Sequence, residues 1–175
     1  YPNNPTGATA TRDQFAKAIE FARRHDVVLM HDACYSEIAY DGYQPLSLLQ
    51  VEGARDVAVE FHSLSKSYNM TGWRLGMAVG NPEVIKALHT IKSNMDSGVP
   101  QAIQQMGIAA MDIPEGELSD RNEIYQSRRD LVVGALRALG LTVEHPRASL
   151  YVWAGVPEGF TSAGFSERLL EETDV

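Results

Sequence analysis

The sequence predicts an α/β domain built on a largely parallel sheet, and three observations predict it. Short apolar runs alternate with an amphipathic helical stretch: Val27–Met30, Val57–Phe61 and Leu75–Val79 follow a helix that ends near His25. Each run has the length of a buried strand rather than a helix. Polar residues stand directly behind the runs, Asp32 after the first and His62 and Ser63 after the second. In open α/β sheets, ligands collect beyond the carboxyl ends of the strands, so these positions are where chemistry is expected.

The elements follow in order. Thr11-Arg-Asp-Gln14 reads as a capping box. Phe15, Ala18, Ile19 and Ala22 then recur at helical spacing. After the three apolar runs, Asn81-Pro82 reads as an N-cap with proline at the first helical position, opening a helix to about Asn94. A further helix is expected over Pro100–Met111, and a turn at Pro114-Glu-Gly116. From Ser119 to Leu139 the pattern is helical, with Ile124, Leu131, Val132, Ala135 and Leu139 as its apolar positions and Gly140 as the stop. Leu141–Val143 and Ser149–Trp153 read as strands, and Ser162–Glu172 as a last helix. The domain boundary is placed in or beside the long helix, dividing the chain into residues 1–118 and 119–175.

The chain has 175 residues, 44% apolar and 22% charged, ordinary values for a globular protein. A net charge of −8 argues against nonspecific nucleic-acid binding. No apolar run approaches the roughly 18–20 residues that span a bilayer. The single cysteine, Cys34, excludes an internal disulfide and fits a reducing cytoplasm. His25, His31, Cys34 and His62 match no zinc spacing, so no metal is expected.

The chemistry concentrates in Ser63-Leu-Ser-Lys66-Ser-Tyr-Asn-Met-Thr-Gly-Trp-Arg74, with Asn3-Asn-Pro-Thr-Gly7 and Asp32-Ala-Cys-Tyr35 upstream. A lysine among small hydroxyl residues can form a Schiff base with an aldehyde cofactor. Pyridoxal phosphate needs that lysine, a carboxylate for its pyridine nitrogen, donors for its phenolic oxygen, and hydroxyls with a cation for its phosphate. Lys66 can be the first and Asp32 the second. Asn4 and Tyr35 can be the donors, and Ser63, Ser65 and Arg74 can bind phosphate. Taken singly, each has a plainer reading: a solvated lysine, a turn-capping aspartate, a surface arginine. Gly72, Gly76 and Gly80 form no dinucleotide fingerprint. The order and joint placement of the segments carry the assignment.

Those three segments resemble the class I/II aminotransferases among the fold-type I pyridoxal-phosphate enzymes, and the resemblance covers essentially the whole chain. It implies part of the large, mostly parallel-sheet domain over 1–118, then a linking helix and the start of a small α+β domain over 119–175. It assigns Lys66, Asp32 and Tyr35 to catalysis. Asn4, Asp32, Tyr35, Ser63, Ser65, Lys66 and Arg74 are assigned to the cofactor. The longer wording, His31-Asp-Ala-Cys-Tyr-Ser-Glu-Ile38 and Ser93-Asn-Met-Asp-Ser-Gly98 included, is similar to bacterial LL-diaminopimelate aminotransferases. This implies a cytoplasmic enzyme of lysine biosynthesis, with an acceptor such as 2-oxoglutarate. The stretch near Asp96–Gln101 implies a homodimer with shared sites.

Both ends read as cut, Tyr1-Pro2 opening directly on a motif, so an internal fragment is expected. The family's N-terminal phosphate loop and its arginine for the substrate carboxylate find no match here. Arg147 and Arg168 do not stand in the required context, and the chain alone is expected to be inactive. The rival readings are a C–S β-lyase on the same fold and the aminotransferase-like domain of a transcription regulator.

Overall fold

The computed structural model describes residues 1–173. Helix α1 spans Arg12–Arg24 and opens as the spacing predicts: Gln14 N–H donates to Thr11 Oγ at 3.3 Å, while Thr11 N–H donates to Gln14 Oε1 at 2.8 Å. Two of the four orphan amides of the first turn are thereby satisfied. Its buried stripe is Phe15, Ile19 and Ala22. Phe15 and Ile19 pack on Leu48, Val51, Ala54 and Ala58 to make the main apolar core.

Strand β1 is Leu29–Asp32, two residues later than the apolar run suggests. Asp26 takes φ +51° and Val27 N–H bonds Ala22 O at 3.0 Å, so residues 25–28 are spent closing the helix. Strand β2, Ala58–Ser63, begins after a four-residue helix α2, Ala54–Val57, which takes up Val57. Strand β3 is Gly76–Gly80. The shifts matter, because Asp32 and Ser63 are now the last residues of their strands.

The sheet order is β1-β2-β3. β1 and β2 pair in parallel, Leu29 opposite Ala58 and Asp32 opposite Phe61. β2 and β3 pair antiparallel, Val59 opposite Gly80 and Ser63 opposite Gly76. A parallel return needs a crossover of a dozen or more residues, usually a helix. The segment between β2 and β3 is just long enough, but it forms only the one-turn helix α3, Leu64–Ser67, and a 3-10 turn, Thr71–Trp73, with no helix to carry the chain back along the sheet, so it turns back.

Helix α4, Pro82–Met95, is capped by Asn81, whose side chain accepts from Glu83 N–H at 2.9 Å and Val84 N–H at 3.0 Å. Helix α5 is Gln101–Met111. Helix α6, Glu115–Ala138, starts four residues before the predicted helix and takes in part of the expected turn. Pro114 at the cap position fits a helix start, since its ring fixes φ and it has no N–H to satisfy. Gly140 with φ +81° stops it as expected. The apolar positions read from the sequence are not its buried face: Ile124, Leu131, Val132 and Leu139 are exposed, while Arg129 and Val133 are buried.

The strands predicted over Leu141–Val143 and Ser149–Trp153 do not form. Isolated bridges join Val143 to Ala154 and Ala39 to Ala148 instead. Ser149 has φ +76°, which breaks an extended run. Helix α7 covers Ser162–Thr173. Among the described residues, no helix is long and apolar enough to cross a membrane.

Candidate active site

β1 and β2 run parallel and side by side, so their carboxyl ends deliver Asp32 and Ser63 to one edge of the sheet. Asp32 is exposed. Its Oδ1 accepts the Cys34 N–H at 3.1 Å, and the contact with Cys34 holds its carboxyl below the usual range, against a smaller upward push from burial. It is therefore an anion at neutral pH. The same neighbourhood acts oppositely on the thiol: burial, then Asp32, pushes Cys34 up to about 11.

Behind Asp32 the chain turns and buries Tyr35, Ile38 and Tyr40 in a second cluster, with Cys34, Tyr125 and Tyr151 packed around it. The Tyr35 and Tyr151 hydroxyls lie 2.8 Å apart, and the rings meet edge to face with centroids 5.5 Å apart. Burial, and then the hydrogen bond to Tyr151, raise the Tyr35 phenol well above its ordinary value. The Asn4 side chain acts on the same hydroxyl in the opposite direction, lowering it by less. Asn4 itself sits exposed in the turn 4–6, braced by Asn3, whose Oδ1 accepts from Thr6 Oγ1 at 2.7 Å. A cleft of about 560 Å³ is lined by Asn4, Asp32 and Tyr35 together with Tyr1, Phe15 and His31.

Ser63 ends β2 and caps α3, its Oγ accepting Ser65 N–H at 3.2 Å. The turn that follows brings Lys66 Nζ to 5.8 Å from the centroid of the Tyr35 ring. Ser65 is buried, and its carbonyl accepts from Thr71 Oγ1 at 3.1 Å. Arg74 has φ +55°, an uncommon conformation outside glycine, and its exposed guanidinium donates to Thr71 O at 2.9 Å. The structure thus gathers Asn4, Asp32, Tyr35 and Lys66. Ser63 and Ser65 stand on the same turn as the lysine, and Arg74 on the next one. Ser63, Ser65, Lys66 and Arg74 do not line the 560 Å³ cleft.

Two participants escape sequence reasoning. Arg121 of α6 donates from Nη1 to the Lys66 carbonyl at 3.3 Å and to the Ser67 carbonyl, and from Nη2 to Glu37 O at 3.5 Å. Asn122 adds a bond to Glu37 O at 2.9 Å. Arg121 thereby ties the lysine turn to the segment carrying Tyr35. Glu60, on β2, is 1% exposed. Its carboxylate meets His31 Nδ1 at 3.0 Å, His62 Nε2 at 2.8 Å, Ser47 Oγ at 2.9 Å and Leu48 N–H at 2.8 Å. Burial alone would raise its carboxyl. The bonds to His31, His62 and Ser47 outweigh that and hold it far below the usual range. A glutamate inside an apolar run, flanked at one residue's remove by a histidine, was the signal available for it.

Comparison with known proteins accords with this geometry. The sequence model of the family described as aminotransferase class I and II matches residues 1–175. An LL-diaminopimelate aminotransferase of Dehalococcoides mccartyi is 58% identical over all of this chain and 45% of its own length. One from Moorella thermoacetica is 54% identical over the same shares. Apo-BacF from Bacillus subtilis superposes with a TM-score of 0.94 at 38% identity, covering 100% of this chain and 47% of that one. A probable N-succinyldiaminopimelate aminotransferase from Thermus thermophilus gives 0.92 at 38% identity, covering 98% and 46%. The chain spans about half the length of the relatives it matches.

Proposed function

The chain belongs to the aminotransferases of class I and II, and on that premise we propose that the whole protein is a pyridoxal-phosphate-dependent transaminase working through Lys66. Members of that family use pyridoxal phosphate, and the fold is that of the fold-type I enzymes. The observation that carries the proposal is the meeting of Asn4, Asp32, Tyr35 and Lys66, from three separate segments, at the carboxyl ends of two parallel strands.

The donor set fits the cofactor. Asp32 is ionised and accessible, as a partner for a protonated pyridine nitrogen must be. Tyr35 is held as a neutral phenol, able to donate to the phenolic oxygen alongside the Asn4 amide. Ser63, Ser65 and Arg74 supply hydroxyls and a cation for phosphate. When bound, the cofactor supplies the electron sink that makes the substrate α-proton acidic. Lys66 Nζ takes that proton and returns it one carbon away, acting as base and then acid. Arg121 keeps the lysine turn in place while the side chain moves.

The substrate favoured is LL-diaminopimelate, with 2-oxoglutarate as acceptor, from the names and identities of the relatives over this whole chain. Residues 1–118 are assigned to the cofactor-binding domain and 119–175 to the linking helix and the start of a small domain. A homodimer with shared sites is proposed as well. Exposed Leu88, Ile91 and Met95 on α4, with Met30 on the sheet, are apolar surface that further parts of the protein or a second copy would cover.

The test uses the whole protein with pyridoxal phosphate: borohydride reduction, then peptide mapping. A pyridoxyl group on the Lys66 peptide is expected, and Lys66→Ala should remove both the label and turnover. A labelled peptide elsewhere, or normal turnover by Lys66→Ala, overturns the assignment. Release of ammonia and pyruvate without an amino acceptor would replace the transaminase reading with a lyase.

A further inference from the structure

We propose that Tyr151 is a positioning residue that acts through Tyr35, by donating its hydroxyl proton to the Tyr35 oxygen and so committing the Tyr35 proton to the cofactor's phenolic oxygen. The inference rests on the transaminase reading above, which uses Tyr35 but gives Tyr151 no part.

A phenol has one proton to give and two lone pairs to receive with. The hydrogen-bond partner of the Tyr35 oxygen in the fold is the Tyr151 hydroxyl, at 2.8 Å. The Asn4 amide is assigned to the cofactor, so the direction of the Tyr151 bond decides where the Tyr35 proton goes. If Tyr151 donates, that bond fills a Tyr35 lone pair and the Tyr35 O–H is left for the cleft that Asn4, Asp32 and Tyr35 share. The alternative, Tyr35 donating to Tyr151, would turn its proton away from the cleft. The edge-to-face packing of the two rings holds the hydroxyls in register. Tyr151 itself is only partly buried, while Tyr35 is 5% exposed, so the outer hydroxyl braces the inner one.

The other titratable and charged groups around Tyr35 are few. Lys66 of α3 lies over its ring, Cys34 and Asp32 precede it on the same segment, and Tyr125 of α6 packs on the cluster. Tyr151 is the one that bonds the Tyr35 hydroxyl from the far end of the chain, 116 residues away. Hydrogen bonds in a chain polarise one another, each strengthening the next by about 10–30%. A stronger donor at the phenolic oxygen favours its anion and lowers the pH at which the lysine-bound cofactor gives up its proton.

The experiment is a spectrophotometric pH titration of the cofactor's visible absorbance in the whole holoenzyme. Wild type, Tyr35→Phe, Tyr151→Phe and the double variant are compared. Borohydride labelling of the Lys66 peptide confirms in each that the cofactor is in place. Tyr35→Phe should raise the midpoint most. Tyr151→Phe should raise it in the same direction by about 0.3 pH, the size a 10–30% weakening of one charge-assisted bond allows. The double variant should titrate like Tyr35→Phe alone, because Tyr151 then has nothing to act through. An unmoved or lowered midpoint in Tyr151→Phe, or full additivity in the double variant, overturns the proposal. An unmoved midpoint in Tyr35→Phe refutes the donor role of Tyr35, and this inference with it. A wild type that takes no label at Lys66 refutes the transaminase reading itself.

Discussion

Replacing Glu60 by glutamine tests whether the carboxylate under the site is held as an anion. The wild-type oxygens divide their partners. Oε2 faces His31 Nδ1 at 3.0 Å and the Leu48 N–H at 2.8 Å, Oε1 faces His62 Nε2 at 2.8 Å, and Ser47 Oγ reaches both. A glutamine NH₂ placed at the Oε2 position would confront two donors. The better placement puts it toward His62 and Ser47, where His62 must be neutral to accept and the serine hydroxyl can rotate. Every bond then loses its charge assistance. Charge-assisted bonds contribute about 1.5–3 kcal/mol and neutral ones about 0.5–1.5 kcal/mol, so four weakened bonds amount to a loss of about 4 kcal/mol.

The loss depends on pH with a definite sign. His62 is raised by its bond to Glu60, so its contribution is complete below its unfolded value and fades as pH rises through the folded one. Glu60 is depressed, so its contribution is complete above its unfolded value and fades as pH falls toward the folded one. The gap between wild type and Glu60→Gln should therefore be widest from about pH 4.3 to about pH 6.5. Urea unfolding of the whole protein at a series of pH values, followed by tryptophan fluorescence, measures it. A loss below about 0.5 kcal/mol, within the range of ordinary surface substitutions, would refute the reasoning. So would a gap that widens above pH 8.

Three further outcomes are expected. Arg121→Met keeps the aliphatic stem but frees the Lys66 and Ser67 carbonyls and leaves Glu37 O to Asn122 alone, so steady-state kinetics should show kcat down about 10- to 100-fold with KM little changed; a change under twofold would exclude a positioning role. Gly80→Ala puts a Cβ against the Ala58 carbonyl oxygen and 2.7 Å from Val59 Cα, at φ +144°, and denaturant unfolding should register a loss of about 3 kcal/mol or more. Cys34, held near 11, should react with iodoacetamide at pH 8 at least about 100-fold more slowly than a free cysteine of pKa about 8.5, and a rate near the free value would contradict its burial.

Much of this was legible because local signals and tertiary needs coincide. The capping box at Thr11 and Gln14 and the Asn81-Pro82 cap are satisfied within a few residues of chain, and both helices begin where the spacing says. The order of Asn4, Asp32, Tyr35 and Lys66 likewise carried their proximity, since parallel strands place successive carboxyl ends side by side. The failures fall where partners are remote. Ser149 takes φ +76° while its N–H bonds Ile38 O, and nothing near it in sequence announces that. The Tyr35–Tyr151 bond spans 116 residues and could not be read from either neighbourhood.

Helix α6 shows why a period count can name a helix and still misplace its inner face. Arg121 and Asn122 bond Glu37 O, Tyr125 packs on the Tyr35 cluster, Gln126 accepts the Asp41 N–H at 3.1 Å, and Arg129 holds the Asp41 carboxylate at 2.7 and 3.1 Å. These residues fall one turn apart on one face. That face grips residues 37–41 mainly with hydrogen bonds, and the guanidinium of Arg129 also lies 4.7 Å from the centroid of the Tyr40 ring. Hydropathy sought an apolar stripe and found Ile124, Leu131 and Leu139, all exposed. The inner face is polar because what it holds is the irregular turn behind Tyr35, whose carbonyls and amides need partners that an apolar stripe could not give. The same face reaches the Lys66 carbonyl, so the helix sets the lysine and the tyrosine relative to each other. Distortion of that face should reach the chemistry before it reaches stability.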